Sequence, residues 1–166
     1  TDPSDMKKQI LAHGFPDQKP KPPEIEKRYQ VFLSNREIQT NIERIKACGS
    51  RVKYFPADIQ DPIAIDAVFA QVRKEFTHIS AVIHGAGVLE DKLIFDKRLD
   101  QFNRVFNTKV EGLDVLLEAS KSDPLKYFIL FSSIAARTGN MGQCDYAMAN
   151  EVLNKTAQKL AISRPD

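Results

Sequence analysis

Two short apolar runs set between helix-period segments constrain this chain more than any other feature. ISAVIH (79–84) and YFILFSS (127–133) have the length and apolar character of strands. The second is almost continuously apolar, which predicts a strand buried on both faces. Around them, apolar residues recur every three or four positions. Ile25, Tyr29 and Phe32, then Ile38, Ile42 and Ile45, predict a helix that Gly49 ends with a left-handed cap. Ile65, Val68, Phe69, Val72 and Phe76 predict a second helix, with Asp61 as its N-cap and Pro62 in its first turn. Phe102, Val105, Phe106, Val110, Leu113 and Leu117 predict a third, over roughly 100–120, and a last helix is expected over about 144–162. Val52 and Tyr54 alternate in RVKYF, which reads as a further short strand. This is the cadence of an α/β domain whose parallel sheet carries helices on both faces through right-handed crossovers.

The start of the chain is different. Five of the nine prolines fall at positions 3, 16, 20, 22 and 23, and PDQKPKPPE (16–24) cannot be a helix interior or a central strand. Residues 1–23 are therefore expected to form a polar arm with one short helix around Asp5–Ala12, then a linker. Residues 24–166 are expected to form one folded portion, because 166 residues suit a single domain. With 24 basic and 22 acidic side chains the formal charge is +2, which argues against a dedicated nucleic-acid binder. No apolar run approaches the roughly 20 residues that cross a bilayer, and TDPSDMKKQ is too polar for a secretory signal. Cys48 and Cys144 lack CxxC or Cys/His spacing, so no disulfide framework and no metal site are expected. A reducing cytoplasm fits this cysteine usage.

In open parallel sheets, ligands bind beyond the carboxyl ends of the strands. Three places qualify. Asp58, after the first readable strand, can accept a hydrogen bond from an adenine amino group or simply cap the local backbone. His84-Gly85-Ala86-Gly87 leaves the backbone uncovered, so a flat ligand can approach closely; an ordinary strand-to-loop turn is the plain alternative. Glu90 stands three residues after Gly87, so the GxGxxG dinucleotide fingerprint fails there, and no other glycine spacing supplies it. Ser133 ends the most apolar strand, and Tyr146 lies thirteen residues on, at the start of the last helix. A hydroxyl and a phenol so placed can hold one carbonyl oxygen between them. Lys109 can approach the same point, and a neighbouring ammonium favours phenolate, lowering the tyrosine pKa from about 10. That would make Tyr146 a usable proton donor. Singly, Tyr146 also reads as a helix aromatic, Lys109 as a solvated lysine and Ser133 as a turn hydroxyl.

VIHGAGVLEDKLI (82–94), NTKVEGLDVL (107–116) and FILFSSIAARTGNMGQCDYAMANEVLN (128–154) resemble the ketoreductase domains of polyketide synthases and polyunsaturated-fatty-acid synthases, members of the short-chain dehydrogenase/reductase superfamily. The resemblance covers roughly residues 24–166, and the GxxGQxxYAxAN run (139–150) is highly specific. It implies a Rossmann-like parallel sheet and NADPH-dependent reduction of β-ketoacyl groups to β-hydroxyacyl groups in polyketide or fatty acid biosynthesis. Tyr146 matches the family's general acid, Ser133 the hydroxyl that orients the carbonyl, and Lys109 the lysine that binds the nicotinamide ribose and tunes the tyrosine. Asn150 matches the catalytic asparagine. Lysine on the earlier helix and asparagine four residues after the tyrosine is the polyketide-type arrangement; stand-alone members usually exchange the two. Asp58 matches the adenine contact, and His84, Gly85, Ala86 and Gly87 the nicotinamide-side turn. Leu89-Glu90-Asp91 is similar to the Leu-Asp-Asp motif of B-type ketoreductases, which give the D-configured hydroxyl. Glu90 departs from that motif but keeps its charge. The A-type marker is a tryptophan, and the chain has none.

The same resemblance implies that the substrate arrives as a thioester on the phosphopantetheine arm of an acyl carrier protein, among the other domains of a multidomain synthase. It also marks what is missing. The glycine-rich βαβ opening and the last strands of a full ketoreductase have no counterpart, so the chain is expected to be an internal piece of one. The sheet would then be incomplete, the isolated piece inactive, and its unpaired edge open to self-association. A non-catalytic structural or interaction module derived from a ketoreductase is the alternative.

Overall fold

The computed structural model describes residues 3–14 and 20–163. Residues 15–19 of the expected linker lie outside the described residues, and Pro22 and Pro23 belong to a helix instead. The chain divides into two compact units, 1–55 and 56–166.

In the first unit, α1 (Pro3–Gly14) packs against α2 (Pro22–Ala47). The helix in the arm is thus longer than the expected Asp5–Ala12 and has a partner. Met6 and Tyr29 are buried, and the Lys7 ammonium lies 4.8 Å from the Tyr29 ring centroid while pairing with Glu26 at 2.6 Å. This ion pair is exposed and contributes little. Pro22 and Pro23 open α2, where a missing N–H costs nothing, and the Glu24 carboxylate accepts the Lys21 N–H at 2.6 Å. Gly49 ends it at φ +81°, as the sequence predicts. RVKYF is not a strand. Among the described residues the one sheet has two strands, 81–84 and 127–130, and the alternation of Val52 and Tyr54 alone does not make a third.

The second unit holds α3 (Pro62–Phe76), β1 (Ala81–His84), α4 (Leu99–Ala119), β2 (Tyr127–Leu130), α5 (Ala135–Thr138) and α6 (Cys144–Ser163). Asp61 caps α3, its carboxylate accepting the N–H groups of Ile63 and Ala64. The strands pair in parallel, Ala81 opposite Tyr127 through His84 opposite Leu130. Their connection runs through α4, the crossover that parallel pairing requires. Ile65, Phe69, Val82, Leu116 and Ala119 form the core between α3, α4 and the sheet, and Val105, Leu113, Ala149 and Leu153 are the most deeply buried apolar residues of α4 and α6. At the far end of α3, the Arg73 guanidinium forks onto the Asp123 carboxylate, with bonds of 3.0 and 2.8 Å.

YFILFSS is less buried than its composition predicts. Tyr127, Ile129 and Phe131 are exposed, as is Ile83 on β1, while Val82 and His84 point into the core. The helices of this unit cover one face of the two strands and leave an apolar surface on the other. No helix among the described residues is long and apolar enough to cross a membrane.

Gly112 sits where α4 approaches the loop before α3. A Cβ there would fall 2.9 Å from Ile59 Cγ1 and 3.5 Å from His84 Cε1. Gly112→Ala gains helix propensity of about 1 kcal/mol but overpacks this contact, at a cost of about 1–3 kcal/mol. The expected outcome is a net loss of stability, read as a lower urea midpoint at unchanged slope. A raised midpoint would show that Ile59 yields freely.

Candidate active site

His84 closes β1 and is fully buried. Its Nε2–H donates to the Lys109 carbonyl at 2.9 Å, because a carbonyl can only accept. Nδ1 has no partner among the described residues. A second proton on that nitrogen would be buried without an acceptor, and burial holds the imidazole below its ordinary 6.5.

Lys109 lies on the inner face of α4 and is buried along its length. Its Nζ donates to the Phe131 carbonyl, just past β2, at 3.0 Å, and stands 5.6 Å from the centroid of the Tyr146 ring. Burial pushes its pKa below the usual lysine range. The glycines after β1 make room for this arrangement. A Cβ at Gly87 would come within 3.1 Å of Lys109 Cε, and one at Gly85 within 3.0 Å of the Phe131 ring. The bare backbone of the His84–Gly87 run is thus filled on one side by the lysine stem and the phenylalanine.

Tyr146 sits half-buried in the first turn of α6. One turn on, Asn150 is fully buried. Its Nδ2 donates to the Tyr146 carbonyl at 2.7 Å, and its Oδ1 has no partner among the described residues. The Ser132 hydroxyl donates to the Asn150 carbonyl at 3.2 Å, tying the exit of β2 to α6. Ser133 Oγ accepts the Ala135 N–H at 3.2 Å at the start of α5, and the residue lines a cleft with Ser132, Arg137 and Asn154. Lys109 and Asn150 thus each reach Tyr146, one at its ring and the other at its main-chain carbonyl, and Ser133 lies in the segment that follows β2, next to Ser132, which bonds to Asn150.

The loop after β1 is fastened to the segment before Tyr146. Gln143 Nε2 donates to the Asp91 carboxylate at 2.8 Å, and the Lys92 N–H to the Gly142 carbonyl at 3.0 Å. Glu90 pairs with Arg104 of α4 at 2.6 Å, while the Leu89 side chain is exposed. Sequence reasoning missed Lys97, whose ammonium bridges the Glu90 carbonyl at 2.9 Å and the Asp145 carboxylate at 2.6 Å. Asp145 stands beside Tyr146, which was a signal, but nothing in the sequence marks Lys97 as its partner. Asp58 is exposed, and its carboxylate accepts the Gln60 N–H at 3.0 Å, a local turn bond apart from this cluster. A phenol beside an ammonium, at the carboxyl ends of two parallel strands, is an arrangement suited to proton transfer at a bound carbonyl.

Burial of His84 has a pH consequence. Between its folded-state pKa and 6.5, the unfolded chain binds a proton that the folded chain refuses, so stability falls as pH is lowered through about 6.5. Urea midpoints measured between pH 8 and 5.5 should decline, and His84→Gln should flatten that slope. A slope unchanged by the substitution would remove His84 as its source.

A family model described as KR domain matches residues 27–163. A polyunsaturated fatty acid synthase subunit of Thraustochytrium sp. is 38% identical over 160 residues, 96% of this chain and 6% of that protein. The crystal structure of an N-terminal ketoreductase from the macrolactin assembly line superposes with a TM-score of 0.73 at 30% identity, over 77% of this chain and 26% of that one. A short chain dehydrogenase from Burkholderia cenocepacia in complex with NADP gives 0.67 at 25% identity, over 75% of this chain and 52% of that one. The chain thus spans a small part of the synthase protein it matches and about a quarter of the macrolactin ketoreductase.

Proposed function

This chain belongs to the KR domain family, the ketoreductases of polyketide synthases within the short-chain dehydrogenase/reductase superfamily, and we propose that it supplies the catalytic portion of an NADPH-dependent β-ketoacyl reductase. The observation that carries the proposal is the position of the Lys109 ammonium, anchored on the Phe131 carbonyl and 5.6 Å from the Tyr146 ring centroid. A cation so placed sets a positive charge beside the ring of the proposed proton donor, where negative charge would develop during the transfer.

In this reading, Tyr146 protonates the oxygen of the substrate ketone and Ser133 orients that oxygen by hydrogen bonding. Asn150 holds the first turn of α6 through the Tyr146 carbonyl. The residues present suit the nicotinamide half of a dinucleotide. The Lys109 ammonium has the Phe131 carbonyl as its one hydrogen-bond partner among the described residues, so it keeps N–H groups for ribose hydroxyls. The His84–Gly87 turn offers uncovered backbone, and Asp58 offers an exposed carboxylate to the adenine. When bound, the cofactor supplies the hydride. The NADP held by the Burkholderia cenocepacia neighbour supports this choice. The diphosphate would be gripped by residues outside this chain, because no glycine-rich fingerprint stands within it.

The substrate proposed is a β-ketoacyl thioester presented by an acyl carrier protein, and other synthase domains would be the chain's neighbours. Leu89-Glu90-Asp91 and the absence of tryptophan favour the B-type, D-hydroxyl outcome. The bond from Gln143 to Asp91 supports a link between that motif and the tyrosine three residues further on.

The test is NADPH oxidation by the intact protein that carries this chain, with trans-1-decalone or a β-ketoacyl thioester. Tyr146→Phe should lower turnover by about 10²–10⁴-fold with cofactor affinity retained. Full activity in that variant would overturn the assignment of Tyr146, and an inactive wild type would favour a non-catalytic module.

A further inference from the structure

We infer that Lys97 and Asp145 are positioning residues, a buried ionic clasp that sets the loop bearing Leu89-Glu90-Asp91 in register with Tyr146 and so decides which face of the ketone is reduced. The inference rests on the reductase reading above and concerns its stereochemical control.

The two side chains are 3% and 2% exposed, and their charged atoms lie 2.6 Å apart. Lys97 precedes α4, and Asp145 stands in the first turn of α6, 48 positions away. The Lys97 ammonium also donates to the Glu90 carbonyl, and the second Asp145 oxygen accepts the Tyr146 N–H at 2.9 Å. Four groups thus form an unbroken line: Glu90 carbonyl, Lys97 ammonium, Asp145 carboxylate, Tyr146 amide. Its two ends lie in the loop that carries the stereochemical motif and in the residue that would give the proton.

A buried ion pair is a poor way to gain stability, since desolvation offsets most of the attraction and apolar side chains of similar volume often do as well. What it supplies is a single geometry. Each charge loses heavily if it leaves the other, and water cannot replace either partner in a closed site. The second set of ties between the same segments, Gln143 to Asp91 and Lys92 to Gly142, includes an exposed carboxylate that water can solvate instead. An acidic residue in the first turn of α6 is favoured by the helix dipole without help. Burying that charge, however, requires the lysine, and the lysine brings the loop with it.

The experiment uses the intact protein that carries this chain. Lys97→Met/Asp145→Leu removes both charges at similar volume, so the fold is kept while the clasp is lost. Lys97→Arg keeps the charge within reach of both partners, and Asp145→Asn removes the charge and keeps one of the two accepting oxygens. The readouts are the configuration of the β-hydroxyl product, kcat and KM separately, and hydrogen exchange at the Tyr146 amide. In the double variant the minor product isomer should rise about tenfold and kcat fall by a similar factor with KM little changed, since misplacement of a proton donor costs rate more than binding. Exchange at Tyr146 should quicken, Asp145→Asn should fall between, and Lys97→Arg should restore the product ratio. Unchanged configuration and unchanged exchange in the double variant would overturn the clasp, as would a series in which melting temperature drops while the product ratio stays constant. Failure of the reductase reading looks different: Tyr146→Phe would then retain activity, or the wild type would have none.

Discussion

The proposed site depends on a buried ammonium held at both ends of its residue. The main chain of Lys109 is pinned by His84, the last residue of β1, and its side chain by the carbonyl of Phe131, just beyond β2. Taking a lysine out of water costs several kcal/mol, and the fold returns only part of that through one carbonyl and the face of an aromatic ring. The remainder appears as a depressed pKa. A group paid for in this way would be exchanged for leucine if packing were its only purpose. Its cost also explains the bare backbone around it, since a side chain at Gly87 would meet the lysine stem.

What the sequence reveals about this fold is the part written in local chemistry. Asp61 with Pro62 and the left-handed Gly49 each act within a few residues, and each marks a helix end correctly, whereas Pro22 and Pro23, expected in the linker, open α2. The apolar period of α4 places Lys109 between Val105 and Leu113 on the inward face, so its burial follows from the pattern. Two expectations fail where the answer depends on distant partners. RVKYF has strand-like alternation but forms no strand. YFILFSS has the composition of a doubly buried strand, yet burial on a second face requires a second covering layer, and Tyr127, Ile129 and Phe131 stay exposed.

The site divides in the same manner. Lys109, Ser133, Tyr146 and Asn150 can be picked out because their family spacing is distinctive, and Lys109 and Asn150 each reach Tyr146, at its ring and at its main-chain carbonyl. Lys97 could not be picked out. Its partner is 48 positions away, and a lysine before a helix most often faces solvent. Asp58 shows the converse: the adenine contact implied by the resemblance has in hand only a turn bond to Gln60, the modest role its residue type allows.

The bonds that orient Tyr146 are all made within residues 56–166. They come from α4 through Lys109, from the exit of β2 through Ser132 and Asn150, and from the loop after β1 through Lys97 and Asp145. None comes from the uncovered apolar face that Ile83, Tyr127 and Ile129 present. Tyr146, the proposed proton donor, and the Lys109 cation are therefore organised by the covered side of a two-strand sheet, whereas the glycine-rich turn proposed to bind the diphosphate has no counterpart in this stretch. Acid–base geometry and cofactor grip are physically separable in such a fold. The first can be complete in a stretch of chain that lacks the second, because parallel strands deliver their chemistry one strand end at a time.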